Sequence, residues 1–454
     1  MAAQYSLLLR GGRVLLPEGE KVVDIAVEGE KIAAIGEELT GTAAREIDAK
    51  GKVIFPGTFD AHVHFNDPGR REWETIATGT AALAAGGGTA FVDMPLNSNP
   101  CTLHAKELND KIAIAEKDSV TDFAFWGGLT PQNLDSLEEL AEGGCMGFKS
   151  FACYSGIPEF EGIDDYTALK GMEKIKKLGL PLMVHCESPL LVQKLGEEMQ
   201  AEGKEDVWAY FHAHARITEL ESVQRMISIA EETGVQLIIA HVSLAESLDI
   251  IRAAKLRGVD VTAETIGQYL ILTDEEVAAI GTAAKCSPPV RDAANQLQMW
   301  ARLMKGDIDF VDSDHSPSDP SLKEGVSFVK AWGGIASVEH TLTGLLTHGY
   351  HARRIPLSLI AKLTSENAAR TLHVPNKGKI AVGYDADFAI VDLDETWTLT
   401  KESIHYLHPV SPYMGTTFKG QVKETILRGE SIQQNGKVAM GGRGKLVRPE
   451  RVVK

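Results

Sequence analysis

The sequence contains few cysteines and less positive than negative charge. Five cysteines (positions 101, 145, 153, 186 and 286) are spread over 454 residues, and none forms a Cys-x-x-Cys pair. This spacing argues against a disulfide framework or a structural zinc site and favours free thiols in a reducing cytoplasm. The 63 acidic residues outnumber the 46 basic ones, and the formal net charge of −17 argues against nucleic acid or an anionic membrane surface as a partner.

Long hydrophobic runs are also absent. No apolar run approaches the roughly 20 residues that are needed to cross a bilayer. Residues 1–7 lack a basic segment followed by an apolar core, so we expect no signal peptide, no membrane partner and a cytoplasmic location. At 454 residues, with 44% apolar and 24% charged residues, the chain is long enough for two or three domains, or for one large barrel with an appendage.

Residues 53 to about 320 alternate apolar strand-like runs with amphipathic helical stretches, which is typical of βα units around a parallel sheet. We count eight candidate strands, and they end at His64, Pro95, Gly128, Phe151, Glu187, Ser243, Gln268 and His315. Eight such units predict an α/β fold, a (β/α)8 TIM barrel, which places its chemistry at the C-terminal strand ends. Residues 330–373 are predicted to be helical and to complete the outer layer.

Both ends of the chain contain short strand patterns punctuated by glycine, and we expect them to pack together as one module beside the barrel. The predicted domains are residues 1–54 (first part of this module), 55–375 (catalytic barrel), 376–440 (second part of the module) and 441–454 (C-terminal tail).

The stretch Asp60-Ala61-His62-Val63-His64 ends the first barrel strand. Side chains two apart on a strand point the same way, so His62 and His64 would direct both imidazoles at one point. Neutral imidazole is a common metal ligand, which makes the pair half of a metal site. The alternative is two ordinary histidines, one buried and one solvated.

Other predicted strand ends carry Lys149, His185, His241 and Asp314. Taken singly, the lysine could pair with an acid, each histidine could be a hydrogen-bonded core residue, and Asp312 could be the important carboxylate. Taken together, four histidines, one lysine and one aspartate around one rim are best explained by a two-metal site.

These motifs resemble the cyclic amidohydrolases, a family that comprises dihydroorotases, hydantoinases (dihydropyrimidinases) and allantoinases. The resemblance covers essentially the whole chain and includes Pro68-Gly69-Arg70, Gly147-Phe148-Lys149, His185-Cys186-Glu187, Ser313-Asp314-His315 and Gly383-x-Asp385-Ala386-Asp387. It implies that the two ends form a composite β-sandwich and that the chain assembles as a homo-oligomer, a tetramer by analogy.

The resemblance also implies two divalent cations held by the same six side chains (His62, His64, Lys149, His185, His241 and Asp314). Lys149 would be carboxylated by CO2 (N6-carboxylysine) so that it bridges the cations. Asp314 would in addition be the catalytic proton carrier. Zinc is the first choice for this nitrogen-rich set, with cobalt, manganese and iron as alternatives.

The substrate class depends on Asn66, where dihydroorotases carry an arginine that pairs with a carboxylate. Asparagine suits an uncharged cyclic ureide. With Lys285-Cys286-Ser287-Pro288 and Lys330-Ala331-Trp332-Gly333, it makes the sequence most similar to the allantoinases, which open allantoin to allantoate. The alternatives are a hydantoinase or dihydropyrimidinase, favoured by Tyr154 and Gln268, and a non-catalytic scaffold related to dihydropyrimidinase.

The substrate-binding residues expected from these motifs are Asn66, Asn97, Tyr154, Ser287, Ser316, Gly333 and Gly334. Apart from the four histidines of the predicted metal site and His315, which ends the eighth predicted strand, the remaining nine histidines, His214 among them, lie off the predicted strand ends and are expected to be surface or helix residues without a role in the site.

Overall fold

The two ends of the chain build one nine-stranded sheet. The computed structural model describes residues 4–452, so residues 1–3 of the predicted first domain and 453–454 of the predicted tail lie outside the described residues. The N-terminal strands are β1 (Tyr5–Leu16), β2 (Gly19–Glu28), β3 (Lys31–Gly36), β4 (Ala43–Asp48) and β5 (Val53–Pro56). The last strands are β15 (Phe388–Thr398), β16 (Thr417–Leu427), β17 (Glu430–Gln434) and β18 (Lys437–Val438).

Strand β5 joins the two ends of the chain. It pairs parallel with β1 and antiparallel with β15, so that hydrogen bonds run through the whole sheet in the order β18-β17-β16-β15-β5-β1-β2-β3, with β4 also on β1. The predicted joint module is therefore confirmed. The chain passes from the sheet to the barrel at Gly57, so the boundary predicted between residues 54 and 55 falls inside β5.

Eight barrel positions follow, and they confirm the predicted (β/α)8 fold. Their strands are β6 (Thr58–Val63), β7 (Gly88–Asp93), β8 (Asp122–Phe125) continued by the short β9 (Gly127–Gly128), β10 (Phe148–Phe151), β11 (Pro181–His185), β12 (Gln236–Ile239), β13 (Val261–Ile266) and β14 (Phe310–Asp312). A parallel bridge between Val63 and His315 closes the ring. Almost every strand residue is buried, because helices and side chains cover both faces of a parallel barrel sheet.

Helices surround the strands. They are α1 (Ile76–Ala85), α2 (Ala105–Asp118), α3 (Leu137–Gly143), α4 (Asp165–Leu178), α5 (Pro189–Ala201), α6 (Val207–Ala213), α7 (Arg216–Thr233), α8 (Ala245–Leu256), α9 (Gly267–Ile271), α10 (Asp274–Ile280), α11 (Ala293–Lys305), α12 (Thr341–Gly344), α13 (Leu357–Ala361) and α14 (Asn367–Thr371). The π-helical segments Leu345–His351 and Lys362–Glu366 continue α12 and α13. Within residues 4–452 no helix has the length and apolar character that a membrane span requires.

The prediction of helix from residue 330 is wrong for its first eleven residues, because helix begins only at Thr341. Residues 318–334, which we call the strap, instead cross the C-terminal face of the barrel as turns with one short 3-10 helix, Pro320–Leu322. In its second half the carbonyls of Val329, Ala331 and Trp332 accept hydrogen bonds from lysine side chains, whereas that of Ser327 accepts from the backbone N–H groups of Lys330 and Ala331.

A buried ionic cluster fastens the sheet to the barrel. The Lys377 Nζ lies 2.7 Å from Asp122 of β8 and 2.9 and 2.7 Å from Asp385 and Asp387 beside β15. The described part of the predicted tail also packs on the barrel, where the Val447 N–H donates to the Phe123 carbonyl at 2.8 Å.

Candidate metal centre and active site

The paired histidines at the end of β6 point into the barrel mouth. The Nε2 atoms of His62 and His64 lie 3.2 and 3.4 Å from the same oxygen of Asp314, which follows β14 by two residues. Both imidazoles are almost fully buried. The strand alternation thus brings these two side chains to one carboxylate.

The second half of the cluster comes from neighbouring strands. His185 ends β11, His241 follows β12, and the His185 Nδ1 lies 3.0 Å from the His241 Nε2. The ring centroids of His62 and His241 are 5.4 Å apart, so that the four imidazoles form one continuous group. Lys149 of β10 is fully buried beside it, and its Nζ has no hydrogen-bond partner among the described residues.

Hydrogen bonds at the outer nitrogens define which imidazole nitrogen is free. The His64 Nδ1 donates to the Leu96 carbonyl at 3.2 Å, and the His62 Nδ1 lies 3.0 Å from Glu264 Oε1. The His185 Nε2 donates to Glu187 at 2.8 Å. The bonds of His64 to a carbonyl and of His185 to a charged carboxylate leave the inward nitrogen of each with its lone pair, which is the arrangement that outer carboxylates and carbonyls impose on metal-ligating histidines.

The charge states suit cation binding. Burial holds the pKa of His62 and of His241 well below the usual value, so these imidazoles are neutral. Burial alone would raise the pKa of Asp314, but His62 and His64 lower it below its usual value, so it is a carboxylate. Burial lowers the pKa of Lys149 to about 8. Neutral imidazoles, a carboxylate and an unpartnered amine form a donor set that fits divalent cations.

Four residues at this end of the barrel have left-handed backbone conformations. The φ angles are 62° for Asn66, 49° for Asn97, 32° for His241 and 42° for Asp314. Such conformations are uncommon for residues other than glycine, and they concentrate at functional sites, where the surrounding structure holds them.

Glu187 links the metal-type cluster to the cavity wall. We use the name metal-type cluster for the six side chains His62, His64, Lys149, His185, His241 and Asp314. The Glu187 carboxylate also accepts from the His214 Nδ1 at 2.7 Å and from the Ser287 hydroxyl at 2.8 Å. Burial would raise the pKa of Glu187, but His214 and His185 lower it well below the usual range, so it is charged. His214 follows α6 and lines the cavity, contrary to the expectation that it has no role in the site.

A cavity of about 770 Å³ opens above the cluster, within the range of small-molecule sites. Its walls include five residues that the sequence analysis proposed as substrate contacts, namely Asn97, Tyr154, Ser287, Ser316 and Gly333.

The structure places the other two predicted contacts, Asn66 and Gly334, behind the wall. Asn66 is 1% exposed and donates to the Pro317 carbonyl at 3.2 Å. The Gly334 N–H donates to the Lys285 carbonyl at 2.8 Å. A Cβ on Gly334 would lie 2.2 Å from the Ser316 carbonyl oxygen, so glycine is required there for the close approach of two backbone segments.

Comparison with known proteins agrees with this geometry. The family model described as "Amidohydrolase family" matches residues 53–432 of the chain. A protein of Desulfitobacterium hafniense named allantoinase is 56% identical over 98% of this chain and 99% of its own length. Allantoinases of Deinococcus radiodurans and Escherichia coli are 44% and 40% identical, over 98% and 94% of this chain and 98% and 95% of their own lengths.

Solved structures show the same fold. An L-hydantoinase (dihydropyrimidinase) from Arthrobacter aurescens superposes with a TM-score of 0.96 at 30% identity, covering 98% of this chain and 100% of that one. A D-hydantoinase (dihydropyrimidinase) from Thermus sp. gives 0.91 at 29%, covering 99% and 100%. The chain belongs to the amidohydrolase family, a family of metal-dependent hydrolases.

Proposed function

We propose that the protein is an allantoinase, which hydrolyses a ring amide of allantoin to give allantoate. The observation that carries this proposal is the cluster of four inward-facing imidazoles and Asp314 beneath a cavity of about 770 Å³, which has room for a small ring. The curated relatives that match over nearly the whole chain at 40–56% identity are named allantoinases.

The residues that would hold two cations are the six side chains predicted from the sequence. When bound there, the cations supply Lewis acidity and lower the pKa of water so that it attacks near neutral pH. Asp314 accepts the proton that this water loses and delivers it to the leaving ring nitrogen. A C–O bond forms and the ring C–N bond breaks, so that one proton of the water ends on the ureido nitrogen and the second is released to solvent as the new carboxyl group ionises to a carboxylate.

We infer that Lys149 is carboxylated. Its Nζ is buried without a partner, and its lowered pKa of about 8 populates the neutral amine that adds to CO2. The carbamate replaces a cation, which would repel metal ions, with an anion that binds them. The nitrogen-rich donors favour zinc, with cobalt, manganese or iron as alternatives.

Replacement of this lysine tests the inference. Lys149→Ala should lose bound metal and activity together, and added short carboxylates should restore part of both, because they supply the missing anionic oxygens. The measurements are metal content by mass spectrometry and the rate of hydrolysis. Full metal occupancy together with a wild-type rate in Lys149→Ala would exclude a bridging role.

The proposed activity is tested with metal-loaded enzyme on allantoin, hydantoin, dihydrouracil and dihydroorotate, side by side. We expect the highest kcat/KM for allantoin and almost none for dihydroorotate, because no arginine stands at Asn66 to pair with its carboxylate. A preference for hydantoin or dihydrouracil would instead favour the hydantoinase alternative, which the exposed Tyr154 in the cavity wall and the Arthrobacter structure support.

The assembly and the location stay predictions. Association into a homo-oligomer, a tetramer by analogy with the family, is supported by large apolar side chains exposed on α5, α6 and α7, with Leu190, Trp208 and Ile217 between 52% and 63% accessible. Light scattering of the purified protein tests it, and a monomer would contradict it. The five buried free cysteines are consistent with a cytoplasmic location.

A further inference from the structure

The strap (residues 318–334) forms one wall of the cavity. It lies between two segments that pair with each other, because His315 before it and Ile335 directly after it form a parallel bridge. Both ends of the strap are therefore held at the barrel rim. Its lining residues are Leu322, Val329, Lys330, Ala331, Trp332 and Gly333. Irregular loops of this length are uncommon inside compact domains, and those that occur usually serve a binding or catalytic function.

Two buried lysines hold the second half of the strap, Lys285 from outside it and Lys323 from its own first half. The Lys285 Nζ donates to the carbonyls of Val329 and Ala331 at 2.8 and 2.6 Å. The Lys323 Nζ donates to the carbonyls of Thr282 and Trp332, both at 3.0 Å. Three of the four carbonyls of residues 329–332 thus accept hydrogen bonds from ammonium groups, and the exception is that of Lys330.

These ammonium groups have no carboxylate partner among the described residues, although Lys285 and Lys323 are only 5% and 7% exposed. Burial lowers the pKa of Lys285 to about 8, and burial together with the Lys285 charge lowers that of Lys323 to about 7. Burying a lysine in this way is unfavourable unless its donors are used. Carbonyl dipoles and the Tyr210 ring, whose centroid lies 4.5 Å from the Lys285 Nζ, take the place of an acid.

The strap leaves one backbone donor free at the cavity. Of the six N–H groups in residues 329–334, five donate to protein carbonyls, and that of Gly333 does not. A Cβ on Gly333 would lie 4.0 Å from the Lys285 Cε, so the lysine stem packs directly behind this peptide. Gly333 is exposed and lines the cavity, and no described residue accepts from its N–H, so this donor is available to a ligand that binds there.

We propose that Lys285 and Lys323 are positioning residues, which clamp residues 329–333 of the strap so that the Gly333 N–H is presented to the substrate. The Lys285 Nζ donates two of its hydrogens to these carbonyls and lies 4.5 Å from the centroid of the Tyr210 ring, so most of its hydrogen bonding is directed at the wall, although its side chain also lines the cavity. The clamp therefore acts through the wall it holds. The identity of the substrate in this inference rests on the proposed function.

The test compares Lys285→Met and Lys323→Met, which keep the length of the side chain without its donors, with the exposed Lys437→Met as matched control. Hydrogen exchange of a peptide spanning the strap reports the clamp whatever the substrate is. We expect exchange of the 329–334 amides to quicken about tenfold or more in both variants, because their hydrogen bonds open more often. The control should exchange as wild type does.

Kinetics separate positioning from general support. We expect the KM for allantoin to rise about tenfold, the loss of roughly one hydrogen bond to the substrate, with kcat changed less than KM. Metal content should stay at the wild-type level, because no proposed metal ligand lies on the strap. Lys285→Arg retains a cationic donor and should recover part of the KM.

The outcomes are distinguishable. Wild-type exchange rates in both methionine variants would overturn the clamp, and faster exchange with an unchanged KM would overturn its positioning role. A wild-type enzyme that does not hydrolyse allantoin would overturn the proposed function, whereas the exchange comparison would still decide the clamp. If Lys285→Met fails to fold, Lys323→Met and Lys285→Arg carry the same comparison.

Discussion

Replacing Glu187 with glutamine removes one negative charge from the centre of a hydrogen-bonded chain. The carboxylate accepts from three donors, at 2.8 Å from His185, 2.7 Å from His214 and 2.8 Å from Ser287. Glutamine keeps the shape but offers only one acceptor oxygen. Its NH2 group must therefore face either His214 or the pair formed by His185 and Ser287, which breaks at least one bond or forces an imidazole to change tautomer.

The size of the effect follows from what His185 does. Its Nε2–H bond to Glu187 keeps the Nδ1 lone pair directed at His241 and makes the imidazole a better donor to a cation. Removal of such outer partners costs about 10–100-fold in metal affinity or activity, which corresponds to roughly 1.4–2.8 kcal/mol. We expect Glu187→Gln to lie in this range.

The assay follows the loss of metal to a chelator together with kcat/KM for allantoin. Glu142→Gln, an exposed change on α3, serves as the control and should behave as wild type. His214→Asn should have a smaller effect, because Glu187 then keeps its bonds to His185 and Ser287. Metal affinity and kcat/KM both within twofold of wild type in Glu187→Gln would refute the reasoning.

Three further outcomes concern stability and the cavity wall. Lys377→Met leaves buried carboxylates at the junction of sheet and barrel without their cation and should lower the unfolding free energy by about 3–5 kcal/mol. Unfolding of this variant at the wild-type urea concentration would contradict the expectation. Gly334→Ala forces a methyl group against the Ser316 carbonyl and should lower the melting temperature, whereas Gly333→Ala, with open space, should not. The hydrogen bond with Glu339 raises the pKa of His405, so this pair should add stability below pH 6.5 that is lost as pH rises through the raised pKa. Urea unfolding of wild type and His405→Gln, once below pH 6.5 and once above the raised pKa, measures whether the stability difference between them disappears at the higher pH.

The metal-type cluster could be predicted because barrel strands obey simple geometry. His62 and His64 stand two residues apart on β6, so alternation alone puts them on one face. His185 is the last residue of its strand, and His241 and Asp314 follow theirs by two residues. Parallel strands in a barrel bring those ends together. The structure places all of these side chains around one centre, at positions that local pattern and fold class specify.

The positioning residues could not be predicted in this way. Glu187 is visible beside His185, but its importance depends on His214, which comes from the turn after α6 and has no periodic relation to β11. The last five residues of the strap fall within the segment predicted to be helical (330–373), yet they are not helical, and Lys285 and Lys323 satisfy the carbonyls of Val329, Ala331 and Trp332. Lys285 is 44 and 46 positions from its two acceptors, and Lys323 is nine positions from Trp332, so no helical or strand periodicity encodes these bonds.

The two kinds of residue therefore differ in how the fold holds them. Ligand-type residues lie on or directly after strands whose register is set by buried apolar neighbours, so a change of substrate need not disturb them. The residues that shape the rest of the cavity lie on loops held by individual hydrogen bonds, and a few substitutions can reposition them. The hydantoinase structure that superposes with a TM-score of 0.96 at only 30% identity fits this division, since the barrel is shared while most side chains differ. Substrate preference in this protein should accordingly respond more to changes at Lys285 and Lys323, which hold the second half of the strap, than to conservative changes in the strands.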